Sequence, residues 1–273
     1  MIINEVKCRS ILNKSGIPGT DYSLNPYIGC SHKCQYCYAV FMKKFTGHTE
    51  PWGDFVDAKV NAEDVLRGQI KRARAGRISI GTACDPYQPV ETRFEITRRC
   101  LEVLADYKPF EVSVITKSHL VTRDIDLFKR FRKIEIGFSI THINPRVTRV
   151  FEPGAPNSEK RLEALKILNQ NHIPTWIFVA PVLPGLTDTD SDLNQLFRAA
   201  RIAGVSYLFF DTLNPYPKVW RNVLRLIKIN FPELIPVYQR FYRNKRDYEI
   251  SLGNKLKKYS RYFQIGAGFA FSC

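Results

Sequence analysis

At 273 residues the chain is long enough for one large domain of barrel or open-sheet type. With 44% hydrophobic and 25% charged residues it has the composition of a folded globular chain, which excludes general disorder. Lysine and arginine outnumber the acids 41 to 26, and the resulting charge of +15 favours phosphate-rich partners, although a basic proteome would produce the same excess.

The opening residues, "MIINEVKCRSILNKSG", lack the apolar run of a signal peptide. No later window approaches about 18 uncharged apolar residues, so a cytoplasmic protein with no membrane segment is expected. Residues 22–28 read as a first strand, leading into "LNPYIGCSHKCQYCYA" at 24–39. From residue 61 amphipathic stretches alternate with short β-branched runs, the pattern of βα units around a parallel sheet. "NAEDVLRGQIKRARAG" predicts a helix with Asn61 as N-cap and Gly76 at its end, and "RISIGT" a strand after it. Then come "ITRRCLEVLADY" (helix), "FEVSVIT" (strand), "TRDIDLFKRF" (helix), "KIEIGFSI" (strand), "SEKRLEALKILNQN" (helix), "PTWIFVAPV" (strand), "SDLNQLFRAARIAG" (helix) and "VSYLFFDTL" (strand). Six strands in a chain too short for a full eight-unit barrel predict an α/β fold, a partial (β/α)6 barrel of TIM type over residues 1–216. Residues 217–273 predict a basic helical extension packed on it. There, "QRFYRNKRDYEISLGNKLKKYSRYF" interleaves Arg and Lys with Tyr and Phe, which suits a nucleic-acid surface or a helix whose aromatics pack inward.

The catalytic end of such a barrel lies at the carboxyl ends of its strands. The distinctive residues fall there: Cys30 after the first strand, "TACDPYQPVE" after the second, "TKS" after the third, "THINP", "PVLPGLTDTD" and "LNPYP" after the rest. The seven cysteines (Cys8, Cys30, Cys34, Cys37, Cys84, Cys100, Cys273) form an odd set, which in a reducing compartment points to metal or redox chemistry. Three thiolates in one short loop suit zinc, copper(I) or an iron–sulfur cluster. Structural zinc wants four ligands, and His32 between Cys30 and Cys34 would crowd one small segment around one ion. A [4Fe–4S] cube normally takes four cysteines, so three leave one iron open to a small molecule.

The Cys30-x3-Cys34-x2-Cys37 spacing, with Tyr36 before the last cysteine, resembles the radical S-adenosylmethionine (radical SAM) superfamily. The wider string "NPYIGCSHKCQYCYA", with "DPYQPVE" at 85–91 and "APVLPGLTD" at 180–188, is similar to its spore photoproduct lyase-like, or DNA repair photolyase-like, branch. The resemblance implies that Cys30, Cys34 and Cys37 hold a [4Fe–4S] cluster whose open iron chelates S-adenosylmethionine. Reductive cleavage would release a 5′-deoxyadenosyl radical, which takes hydrogen from a substrate over the barrel mouth. By the same resemblance Tyr36 lies near the adenine, and Lys117, Ser118 and Ser139 hold the carboxylate or ribose of S-adenosylmethionine. Tyr38 belongs beside the radical path. Spore photoproduct lyase uses a cysteine in the loop after the second strand as hydrogen donor; Cys84 lies near that place but in a different motif. It is a candidate donor, against the plain alternative of a small buried hydrophobe. Gly29 is expected to let backbone approach the inorganic core, His32 to orient the ligand loop, and Asp85, Gln88 and Glu91 to meet substrate or ribose hydroxyls. The substrate implied is a DNA lesion or another nucleotide. Radical modification of RNA, a peptide or a metabolite is one alternative, and an iron–sulfur or zinc protein that binds nucleic acid without turnover another. A nucleic-acid substrate, an external one-electron reductant such as flavodoxin or ferredoxin, and a monomeric state complete the expectation.

Overall fold

The structure, a computed structural model, describes residues 1–107 and 109–270, so Cys273 lies outside the described residues. Strands β1 (Ile2–Val6), β2 (Leu12–Lys14), β3 (Tyr22–Leu24), β4 (Tyr27–Ile28) and β5 (Phe55–Lys59) precede the repeating part. It continues through β6 (Gly76–Ile80), β7 (Phe110–Thr116), β8 (Ile134–Ser139), β9 (Thr175–Val182), β10 (Tyr207–Thr212) and β11 (Gly266–Phe269). The main sheet runs β2-β3-β6-β7-β8-β9-β10-β11. Every pairing from β3 to β11 is parallel, and β2 joins antiparallel. An order that follows the sequence is what successive crossovers of one hand produce, and it is the partial barrel expected.

Strand periodicity decides which side chains face the interior. Leu208, Phe210, Ile177 and Val179 are fully buried toward the helical layer. Their alternates Trp176, Phe178, Phe209 and Asp211 are partly exposed and point the other way, into the open lumen. A smaller sheet, β1-β5-β4, closes the start of the barrel.

Several boundaries differ from the sequence reading. The helix after Asn61 stops at Ile70, because its buried stripe (Ala62, Leu66, Ile70) ends there and the following Lys-Arg-Ala-Arg has no apolar face to bury. Gly76 opens β6 instead, and Asn61 does not cap the helix; its amide bonds the Cys8 backbone N–H and carbonyl at 2.8 and 3.0 Å. The first strand breaks at Asn25-Pro26, where the chain leaves the main sheet for the smaller one. After Pro217 three helices follow (Pro217–Asn230, Ile235–Arg243, Lys245–Phe263), and then β11 adds to the open edge of the sheet. Tyr238, Phe241 and Tyr259 of these helices are buried against the barrel, whereas Tyr242 and Tyr262 face solvent. Among the described residues no helix is long and apolar enough to cross a membrane.

Candidate active site

The loop that carries the three cysteines is shaped first by a neighbouring strand. Gly29 has φ 85°, and a Cβ there would lie 2.3 Å from the Phe55 carbonyl oxygen of β5. In this structure the close approach that demands glycine is to β5. Beyond it, Cys30, Cys34 and Cys37 are each partly exposed. Their loop is stitched to the segment after helix Pro145–Phe151: Gln35 N–H donates to the Phe151 carbonyl (2.8 Å) and Gly154 N–H to the His32 carbonyl (3.0 Å). A Cβ on Gly154 would meet the Ser31 carbonyl oxygen at 2.3 Å, so only glycine lets the two loops touch.

"DPYQPVE" is a brace for that loop. Gln88, fully buried, accepts from Ser31 N–H at 2.9 Å and donates to the Gly29 carbonyl at 3.2 Å. Glu91, also fully buried, accepts from the Tyr27 hydroxyl, from the Thr97 and Arg98 N–H groups (3.0 and 3.1 Å) and from Arg123 (3.0 Å). Asp85 accepts from the Thr116 hydroxyl (2.6 Å), Lys117 N–H (2.7 Å) and Tyr87 N–H (2.9 Å). Its other neighbour is His32 Nδ1 at 3.2 Å, close enough for an ion pair although the ring N–H is not aimed at the carboxylate. Burial by itself would lower the His32 pKa; Asp85 and Cys30 outweigh it, and the net shift is upward. In this structure all three side chains brace the loop and the elements around it.

The cysteines suit a shared cationic centre. Burial, then the charges of Glu152, Cys30 and Cys37, pushes the Cys34 thiol well above its ordinary value against the pull of Lys117. Burial and Cys30 lift Cys37 to about 11. Thiolates that oppose one another in this way are stabilised by bound cationic metal, which iron provides. Among the described residues no three His, Cys, Asp or Glu side chains gather tightly enough around a single ion, and His32 is turned to Asp85. Three thiols supply three protein ligands for the four irons of a [4Fe–4S] cube.

Beside the cysteines three of the expected cofactor residues converge on one acid that sequence reasoning missed. Tyr36, 7% exposed, donates its hydroxyl to Glu152 and shares a hydrogen bond with Thr141 (3.1 Å). Lys117 Nζ bonds the Ser139 hydroxyl, lies 3.7 Å from Glu152 Oε1 and sits 5.8 Å above the Tyr36 ring. Arg161 closes the group from behind, pairing with Glu152 and donating to the Ser139 carbonyl at 2.9 Å. Burial alone would raise the Glu152 pKa, but Arg161 and then Lys117 hold it well below the usual carboxylate range. His142 borders the group, buried, with Nε2 unpartnered; desolvation lowers it to about 4 and keeps it neutral. Arg161 was legible in principle: with Ala164, Leu165 and Leu168 it occupies the buried stripe of helix Ser158–Gln170, where a lone charge demands a partner.

The other expected residues lie apart from this group. Ser118 accepts from Leu120 N–H at 3.3 Å and so caps the turn His119–Asp124. Tyr38 is 54% exposed and donates to the Thr82 carbonyl in the loop after β6. Cys84 is 6% exposed in the loop after β6, its Sγ 3.8 Å from Asn25 Oδ1. Asp211, also missed, ends the lumen face of β10 opposite an irregularity in the β9 pairing, and burial raises its pKa.

A partial parallel barrel with a three-cysteine loop after its first strand defines an iron–sulfur protein whose cluster keeps one iron for a ligand. The chain belongs to the radical SAM superfamily: the Radical SAM superfamily model matches residues 24–198. It is thus a radical SAM enzyme, with a [4Fe–4S] cluster and S-adenosylmethionine as cofactors. An uncharacterized protein of Methanocaldococcus jannaschii is 35% identical over 85% of this chain and 84% of its own length. A radical SAM Nalpha-GlyT isomerase of Pseudomonas phage M6 is 26% identical over 67% of this chain and 37% of its own. Among solved structures, a spore photoproduct lyase variant with bound AdoMet and dinucleoside spore photoproduct superposes with TM-score 0.76, covering 99% of this chain and 82% of that one. The identity is 16%, so this likeness is one of fold.

Proposed function

We propose that this enzyme carries out radical chemistry on a base in DNA, as a lyase of a base lesion or in a related base rearrangement. When bound and reduced, the cluster and S-adenosylmethionine supply a 5′-deoxyadenosyl radical that takes a hydrogen atom from the substrate. Lys117 and Ser139, held at Glu152 beside Tyr36, offer an ammonium and a hydroxyl to the carboxylate of S-adenosylmethionine. An external one-electron reductant such as flavodoxin or ferredoxin provides the electron, and the basic surface favours the DNA.

The observation that carries the proposal is the place of Cys84, a buried thiol in the loop after the carboxyl end of β6, two residues beyond the Thr82 carbonyl that Tyr38 bonds. Desolvation pushes it up to about 12, so it stays S–H. Its S–H bond breaks as a C–H bond forms on the product radical, leaving a thiyl radical. One electron from the external reductant, taken up together with a proton, restores the thiol. The spore photoproduct lyase structure holds a dinucleoside spore photoproduct, and its likeness in fold supports a nucleotide substrate here. Anaerobically purified, cluster-loaded protein should cleave S-adenosylmethionine to 5′-deoxyadenosine and methionine faster with damaged DNA than without. Cys84→Ala should keep cleavage and change the product. If damaged DNA neither binds nor alters cleavage, the DNA substrate is wrong; if the variant forms the same product at the same rate, Cys84 is no donor.

A further inference from the structure

We infer that the turn Tyr38–Phe45, together with the start of helix Pro217–Asn230, forms a docking ledge for single-stranded DNA that leads into the barrel mouth; this rests on the DNA reading above. The turn leaves the third cysteine directly, and its first residue, Tyr38, bonds the Thr82 carbonyl at the end of β6. One end of the ledge is therefore the mouth itself. Between turn and helix lies a groove of about 370 Å³ lined by Phe41, Lys43, Lys44, His48, Tyr216 and Lys218, with no acidic side chain in the lining. Glu50 and Asp57, the acids against His48, are taken up by its two ring nitrogens at 3.0 and 2.9 Å.

Four aromatics stand exposed along this stretch: Tyr38 at 54%, Phe41 at 37%, Phe45 at 68% and Tyr216 at 42%. Tyr38 and Phe41 are stacked, and the Lys44 ammonium lies 4.7 Å above the Phe45 ring. Apolar faces left in water beside the Lys44 and Lys218 ammonium groups, which make no ion pair among the described residues, match unpaired bases with their phosphates, because stacking needs an open base face and phosphate needs a cation. Paired bases in a duplex offer no such face. The tail helices turn Tyr238, Phe241 and Tyr259 inward, and their exposed Tyr242 and Tyr262 do not line this groove.

Fluorescence anisotropy of the cluster-loaded protein with a labelled single strand, its duplex and an RNA strand of the same sequence tests the ledge. Phe41→Ala and Phe45→Ala should each weaken single-strand binding roughly five- to a hundredfold and change duplex binding by less than about twofold. Lys44→Ala and Lys218→Ala should each flatten the slope of log affinity against log salt by about 0.7. S-adenosylmethionine cleavage without DNA should be the same in all four, since none belongs to the cluster loop Cys30–Cys37 or to the Glu152 group. Wild-type protein that binds the duplex but no single strand overturns the ledge alone, and wild type that binds neither overturns the DNA substrate as well. Wild type that binds while the four variants bind equally well overturns the ledge alone. RNA bound about tenfold more tightly than DNA overturns the occupant.

Discussion

Glu152→Gln is the sharpest test of how the site is built, because it keeps the shape of the side chain and removes only its charge. Glu152 and Arg161 have side-chain exposures of 1% and 0%, and Lys117 Nζ is a further 3.7 Å contact. Neutralising the acid strands a guanidinium that water cannot reach. Breaking a buried pair from one side costs about 3–5 kcal/mol. At about 2 °C per kcal/mol for a chain of this size, the melting temperature should fall by about 6–10 °C. The acid limb gives an independent sign. Glu152 is held below its unfolded value, so its stabilisation is complete above the unfolded carboxyl pKa of about 4.3 and fades as pH drops toward the folded one. The gap between wild type and variant should therefore be widest near neutrality and narrow as acid is added below about pH 4.3. Anaerobic calorimetry of both proteins across pH reads both effects. A variant melting within about 2 °C of wild type at every pH would mean that Arg161 and Lys117 are solvated and the buried ion group is not formed.

Gly154→Ala should lower the iron retained per chain while leaving far-ultraviolet circular dichroism unchanged, because its Cβ would push the Ser31 carbonyl aside from 2.3 Å; full iron content would show that the loops do not touch. Gln88→Ala strands the Ser31 N–H and the Gly29 carbonyl, at about 1–3 kcal/mol per group, and should speed loss of iron to a chelator. An unchanged rate would remove Gln88 from the brace. Alanine at Cys30, Cys34 or Cys37 should abolish cluster assembly, whereas Cys100→Ala, buried in helix Ile96–Ala105, should retain full iron; elemental analysis after reconstitution separates the two outcomes.

The cysteine loop was legible from spacing because all three ligands lie on one short segment, where sequence distance and spatial distance are nearly the same. Strands such as Phe110–Thr116 were legible in the same way: β-branched runs and their flanking helices follow local preferences. Locality also explains the misses in the fold. The end of the helix at Ile70 and the break at Pro26 depend on what apolar surface is available to cover, and β1 and β5 pair across about fifty residues of chain. "DPYQPVE" was read as a substrate reader because its polar letters suit hydroxyls. Only the fold shows them spent on Tyr27, Ser31 and the helix after Glu95.

By itself the sequence determined the kind of metal centre and the order of the βα units, both of which are set by residues within a few positions of one another. Tertiary structure decided which charges meet. Tyr36 reaches Glu152 across 116 residues, and Lys117 reaches Ser139 across 22. Such contacts exist because closing the barrel brings loop ends together and excludes water from them, and desolvation then forces each buried charge to find its opposite. Chain-local preference carries no information about that choice of partner.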